Sequence, residues 1–336
     1  MSRIVAVVLS SWCVAYPTGL GMAKGAETRS IPEGGVATPV DQATWYEPAG
    51  PALPGTPLTL YKSFTMKGSY AYDAVGMRNR GYGTAVITLP AGSTIKKAYL
   101  FWTIISKTTA EDTTFRKCKI NGHALNGARL GSDYSPCWPR DGNNQCFSYR
   151  ADVTNQVTNA TISAYSLTGF ASALTNGKDP FSSKTPLSFP MAEGATLLIF
   201  YQNNSSKQTT MQLYNGHVTV KKNGEKSILE LTGFTAPSTL SAASLLFIGA
   251  DGQQNADEPL SEFNGKALKG SPVWDGISAD NDGEDFDEGN LWDSEKANVK
   301  PYLSPGATTA EVEVETGSDD RWDCLVWVGL VFSMTR

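Results

Sequence analysis

A chain of 336 residues is long enough to bury one large core or two ordinary ones. Its net charge of −5 and its 18% content of charged residues exclude both the basic footprint of a nucleic-acid binder and an acidic disordered chain. With 32 Gly and 18 Pro among many Thr, Val, Ser and Tyr residues, the composition favours short strands broken by turns over long helices.

Residues 1–23 carry Arg3, an apolar run from Ile4 to Leu9 and an exit of small residues, the order of a signal peptide. Gly21 and Ala23 suit the positions before cleavage, which makes Lys24 the first mature residue; the alternative is a buried N-terminal strand. Bulky Trp12 before Cys13 argues against lipid attachment there. No later stretch is apolar over the length needed to span a bilayer, so no transmembrane anchor is expected. Residues 24–57, rich in Pro, Gly, Ala and Thr without a period, read as an extended lead-in.

Beyond the lead-in, short β-branched and aromatic runs alternate with turn signals. The runs Thr84–Leu89, Lys97–Ile105, Thr196–Tyr201, His217–Lys221, Ser244–Ile248, Ala310–Glu315 and Leu325–Phe332 predict strands of a sandwich or barrel. Glu311, Glu313 and Glu315 alternate with Val312 and Val314, which puts carboxylates on one strand face and apolar groups on the other. Two segments match in order. Ile120 to Gly127 (INGHALNG) parallels Phe263 to Gly270 (FNGKALKG), and each has an apolar strand upstream and a Ser-Pro-x-Trp downstream. The Asn-Gly pairs within them suit type I′ hairpin turns, since both residues tolerate positive φ. The expected fold is all-β, with two related jelly-roll-like β-sandwich halves in tandem over residues 58–225 and 226–336.

Loss of the signal removes Cys13 and leaves an even set, Cys118, Cys137, Cys146 and Cys324, suited to an oxidising compartment. Of the three connectivities, the Pro-, Gly- and Asn-rich loop between Cys137 and Cys146 favours that pair, leaving Cys118 with Cys324; buried free thiols are the alternative for the second pair. The acidic run from Asp280 to Glu288 turns at Gly283. It offers Asp280, Asp282, Asp285, Asp287 and Glu288 as oxygen ligands for calcium, against the plain reading of a solvated loop. Trp138 and Trp274 lie in loops beside Pro and Asp and are the candidates for stacking against a sugar ring.

The sequence shows no serine-hydrolase elbow, phosphate-binding loop, zinc-protease helix or dinucleotide fingerprint. A glycoside or other hydrolase needs only two placed carboxylates, and no acidic pair is singled out for that work.

The motifs Ala98–Trp102 (AYLFW), Ala151–Thr154 (ADVT), Thr196–Tyr201 (TLLIFY), Met211–Gly216 (MQLYNG), Leu231–Phe234 (LTGF), Gly249–Gly252 (GADG) and Asn290–Asp293 (NLWD) follow one another in order. In that order they resemble an adhesin-like repeat domain of unknown function found in exported and cell-surface β-sandwich proteins of bacteria and archaea. The resemblance brings no catalytic residues with it. It implies a secreted or cell-surface, non-catalytic protein with an adhesive or matrix role, whose partners are other surface or matrix proteins or a polysaccharide. A carbohydrate-binding module is the alternative, and a secreted hydrolase the second alternative.

Overall fold

The computed structural model describes residues 55–135, 144–178, 188–220, 225–252, 260–268, 273–277, 291–316 and 324–336. The strands in chain order begin with β1 (Thr56–Gly76), β2 (Gly83–Thr88), β3 (Thr94–Ser106), β4 (Lys117–Ile120), β5 (His123–Asn126) and β6 (Ala128–Tyr134). There follow β7 (Gln145–Asp152), β8 (Ile162–Thr168), β9 (Met191–Gln202), β10 (Gln208–Val220), β11 (Lys226–Leu231) and β12 (Ala242–Ala250). The last are β13 (Leu260–Phe263), β14 (Lys266–Ala267), β15 (Trp292–Asp293), β16 (Lys296–Asn298), β17 (Ala310–Glu315) and β18 (Leu325–Thr335). Every run predicted as a strand overlaps one of these, and the protein is all-β as expected.

One sheet of ten strands forms the middle of the molecule, in the order β15-β12-β18-β10-β1-β9-β3-β7-β6 with β16 also on β12. Its hinge is β1. Residues up to Lys67 pair with β10, and from Gly68 onward the same strand pairs with β9. Gly68 sits at φ +150°, and a Cβ there would lie 2.0 Å from the Tyr201 carbonyl oxygen, so the strand changes partners only with glycine at that point.

The sheet folds about this hinge so that its two wings face each other. Between them lies a core that includes Tyr99, Phe101, Phe200, Leu213, Ile248 and Val328. Alternate residues of the same strands point outward. On one wing Leu100, Trp102 and Leu197 pack beneath a first outer sheet ordered β2-β8-β4-β5, with Ile87, Ile120 and Leu167 from its inner face. On the other wing Leu245, Phe247, Trp327 and Phe332 pack beneath a second outer sheet ordered β11-β17-β13-β14, with Val312, Val314 and Phe263. The result is four layers and three cores, with β3, β7, β9, β10, β12 and β18 buried along most of their length and β2, β4, β8, β11 and β17 alternating. The alternation read from Ala310 to Glu315 is of this second kind, with all three valine and alanine side chains inward.

The two outer sheets match strand for strand at their hairpins. Asn121 and Gly122 connect β4 to β5 with φ of 48° and 79°, and Asn264 and Gly265 connect β13 to β14 with φ of 52° and 67°, as type I′ turns require. All the described residues fall in one contact-defined unit, Trp45–Arg336, and β1 belongs to both wings.

Candidate functional site

The densest ionisable chemistry among the described residues lies where the tips of both wings meet. After β1 the chain turns over Met77–Gly81, closed by the Gly81 N–H donating to the Met77 carbonyl at 2.7 Å. The Met77 N–H donates to the Glu193 carbonyl of β9 at 2.9 Å, which fixes the turn against that strand. Arg78 is thereby directed inward. Its Nε donates to Glu193 Oε1 at 3.1 Å, its Nη2 donates to Glu193 Oε2, and the same Nη2 donates to Asp251 Oδ1 at 2.7 Å. Asp251 follows β12 at φ +74°, held by its N–H on the Leu291 carbonyl at 3.0 Å.

The surroundings leave little room. Trp292 of β15 lies against Gly194, whose added Cβ would stand 2.4 Å from the indole, and its Nε1 donates to Thr196 Oγ1 at 2.9 Å. Asp293 accepts the Gly276 N–H at 2.7 Å and closes on Gly252, where a Cβ would meet its other oxygen at 2.3 Å. Arg78, Glu193 and Asp251 are 1%, 0% and 1% exposed.

Burial, assisted by Asp251 and opposed by Arg78, pushes the Glu193 carboxyl up to about 8. The direction is toward a Glu193 that keeps its proton to higher pH than an ordinary carboxyl, with the guanidinium of Arg78 on both of its oxygens opposing the shift. Burial alone would lower the Arg78 pKa, but the two acids outweigh it and the net shift is upward. The triad is thus a charge-compensated lock between the β1 turn, β9 and the end of β12.

A second polar cluster has the elements of a nucleophile and a base but not their setting. Ser148 Oγ lies 2.7 Å from His217 Nδ1 and 2.8 Å from Thr103 Oγ1, and all three residues are fully buried. Burial, with Arg129 adding, pushes His217 down to about 3, so its ring is neutral. A Cβ on Gly131 would lie 2.7 Å from the His217 Cβ, so the imidazole is packed over rather than open to a substrate.

The residues singled out from sequence fall elsewhere. Cys118 and Cys146 carry free, buried thiols, which corrects both expected pairings. Cys118 points from β4 into the core beneath the first outer sheet, Cys146 points from β7 into the core between the wings, and Cys324 precedes β18 on the opposite wing. Burial pushes Cys118 up to about 12 and Cys146 well above the ordinary thiol range. Cys324 is disulfide-bonded, and Cys137 lies outside the described residues. Trp274 is fully buried rather than exposed: its Nε1 donates to Ser261 Oγ at 3.0 Å and its ring packs edge-on to Phe247. Trp138 lies outside the described residues, as do Asp280, Asp282, Asp285, Asp287 and Glu288. Among the described residues, no group of three or more His, Cys, Asp or Glu side chains is placed to hold a metal ion, and no helix is long and apolar enough to cross a membrane. Among the described residues the exposed aromatics are Tyr61, stacked on the Arg150 guanidinium at 3.4 Å, and Tyr82.

A family model described as a protein of unknown function (DUF3344) matches residues 49–324, a span that holds the triad and every strand from β1 to β17 and stops just before β18. The chain belongs to this family. No curated protein matches the sequence. Among solved structures, a β-porphyranase of glycoside hydrolase family 86 from the human gut bacterium Bacteroides plebeius is similar at TM-score 0.26 and 12% identity, covering 84% of this chain and 37% of that one. A family 86 protein in complex with neoagarooctaose is similar at TM-score 0.25 and 10% identity, covering 74% of this chain and 34% of its own. The chain thus spans about a third of the length of these structures, and the overlaps are too slight to indicate a shared fold or activity.

Proposed function

We propose that this family member is an exported, non-catalytic structural component that works at a cell surface or in an extracellular matrix. The observation that carries this reading is the near-complete burial of the Arg78–Glu193–Asp251 triad. Acid–base work requires a group within hydrogen-bonding reach of a substrate, and the side chains of these three residues are almost wholly withdrawn from solvent. What the protein presents to a partner is the broad outer face of two four-stranded sheets. The leader-like first 23 residues support export.

The test is fractionation of the producing cell with an antibody to the chain, followed by N-terminal sequencing. Recovery from the envelope or the medium with a start near Lys24 is the expected result. Recovery from the cytoplasm with Met1 to Ala23 retained overturns the export reading.

A second reading, polysaccharide binding, is favoured by Tyr61, an exposed ring stiffened from behind by Arg150. Retention on a polysaccharide column that Tyr61→Ala abolishes would support it, and equal elution of both forms would dismiss it.

A further inference from the structure

The two outer sheets face away from each other at opposite ends of the four-layer stack, and their exposed faces differ in charge. On the second outer sheet, Glu230 lies directly opposite Glu311 and Glu262 directly opposite Glu313. Like charges so placed repel and weaken a sheet. Lys226 relieves part of this, at 2.6 Å from Glu313 and 2.8 Å from Glu315. Among the described residues on the outward register of β11, β13 and β17, five glutamates thus share one lysine. On the same face Ile228 and Leu260 are 57% and 44% exposed.

The first outer sheet is the reverse. Lys117 and Lys119 point outward from β4, and their register partners Asn126, Ala124 and Thr168 bring no carboxylate. Asp112, at the end of the sheet, is the acid that Lys117 influences. Two large apolar side chains stand out on the same face, toward the other end of β8 and on β2: Ile162 at 66% and Val86 at 48% exposure.

We infer that the first outer sheet of one copy docks on the second outer sheet of another, so that the protein assembles head to tail. The inference rests on the structural-component reading and names its partner, a second copy of this chain. Each face supplies what the other lacks: lysines for the Glu230–Glu311 pair and for the partly relieved Glu262–Glu313 pair, and apolar side chains that leave water together. Because the two faces belong to opposite ends of one molecule, each contact leaves one face of every copy free. Such a heterologous contact extends into a filament unless its rotation closes a ring.

Sedimentation velocity on the full chain at rising concentration tests this, at low and at raised salt, with two charge-reversed proteins alongside. One carries Lys117→Glu and Lys119→Glu, the other Glu230→Lys and Glu311→Lys. The expected result is a series of species above the monomer in the wild type that shrinks with salt, loss of those species in each variant alone, and their return in an equimolar mixture. The mixture guards against misfolding, because only folded variants regain complementary faces. A monomeric wild type, assembly untouched by both reversals, or variants that fold by circular dichroism yet stay monomeric when mixed would each overturn the contact. A monomer would leave the export reading to be decided by the fractionation.

Discussion

Asn121 and Asn264 make the same two hydrogen bonds in different sheets. Asn121 accepts the Ser166 N–H at its Oδ1 and donates its own N–H to the Ser166 carbonyl, both at 2.8 Å. Asn264 does the same with Glu311, both at 2.9 Å. Each asparagine thus clips a type I′ hairpin to the middle strand of its outer sheet.

Alanine removes the Oδ1 hydrogen bond at either position, about 1 kcal/mol, and at Asn264 also the bond its Nδ2 donates to the Tyr302 carbonyl at 3.0 Å; in both it leaves an alanine at positive φ, about 1 kcal/mol more. Urea unfolding should show a loss in both Asn121→Ala and Asn264→Ala, larger in the second by up to about 1 kcal/mol for the Tyr302 bond. A loss confined to one of them would contradict the equivalence.

Stability should depend on pH through Glu193. Its folded pKa of about 8 lies above the ordinary value of 4.5. Between those values the unfolded chain has released a proton that the folded chain keeps, so stability falls as pH rises through that range. His217, lowered from 6.5 to about 3, slopes the other way below pH 6.5. Between about 7 and 8 Glu193 then sets most of the slope, since His217 no longer contributes and the buried thiols Cys118 and Cys146 add to the fall only toward pH 9. Denaturant titrations there should show a falling wild type and a flat Glu193→Gln; parallel curves would show that Glu193 does not keep its proton.

The thiols predict a labelling pattern. Under native conditions Cys118 and Cys146 should resist alkylation, being buried with raised pKa values. Denaturant without reductant should expose these two while Cys324 stays blocked until reductant is added. Peptide mapping by mass spectrometry reads this directly. Labelling of Cys324 before reduction would contradict its disulfide.

Trp274 should behave as core. Trp274→Ala is expected to cost about 3–5 kcal/mol by leaving a cavity against Phe247 and the close-packed Gly249. A thermal melt close to wild type would return Trp274 to the surface.

The alternating and apolar strands were legible because their side-chain period is local: Val312 and Val314 inward, Glu311 and Glu313 outward. The Asn-Gly hairpins were legible for the same reason, since positive φ is a property of the two residues themselves. The hinge in β1 was not, because Gly68 changes partners from β10 to β9, strands far along the chain. Cys118 and Cys146 point into different cores, a distinction that spacing between cysteines does not carry. Trp274 looked exposed from its loop neighbours, but its burial is set by Gly249 and Ser261 on other strands. The triad left one local trace, Glu193 inside the otherwise apolar run MAEGATLLIF; a lone acid in a strand buried on both faces calls for a cation, and here Arg78 supplies it.

The structural reading of the protein depends most on the triad being a lock, and a double-mutant cycle between Arg78 and Asp251 tests that most directly. Unfolding free energies would be measured for Arg78→Met, Asp251→Asn and the double variant. Each single change strands a buried partner and should cost about 3–5 kcal/mol. The double variant should cost clearly less than their sum. Additive losses, or single variants as stable as the wild type, would contradict the lock.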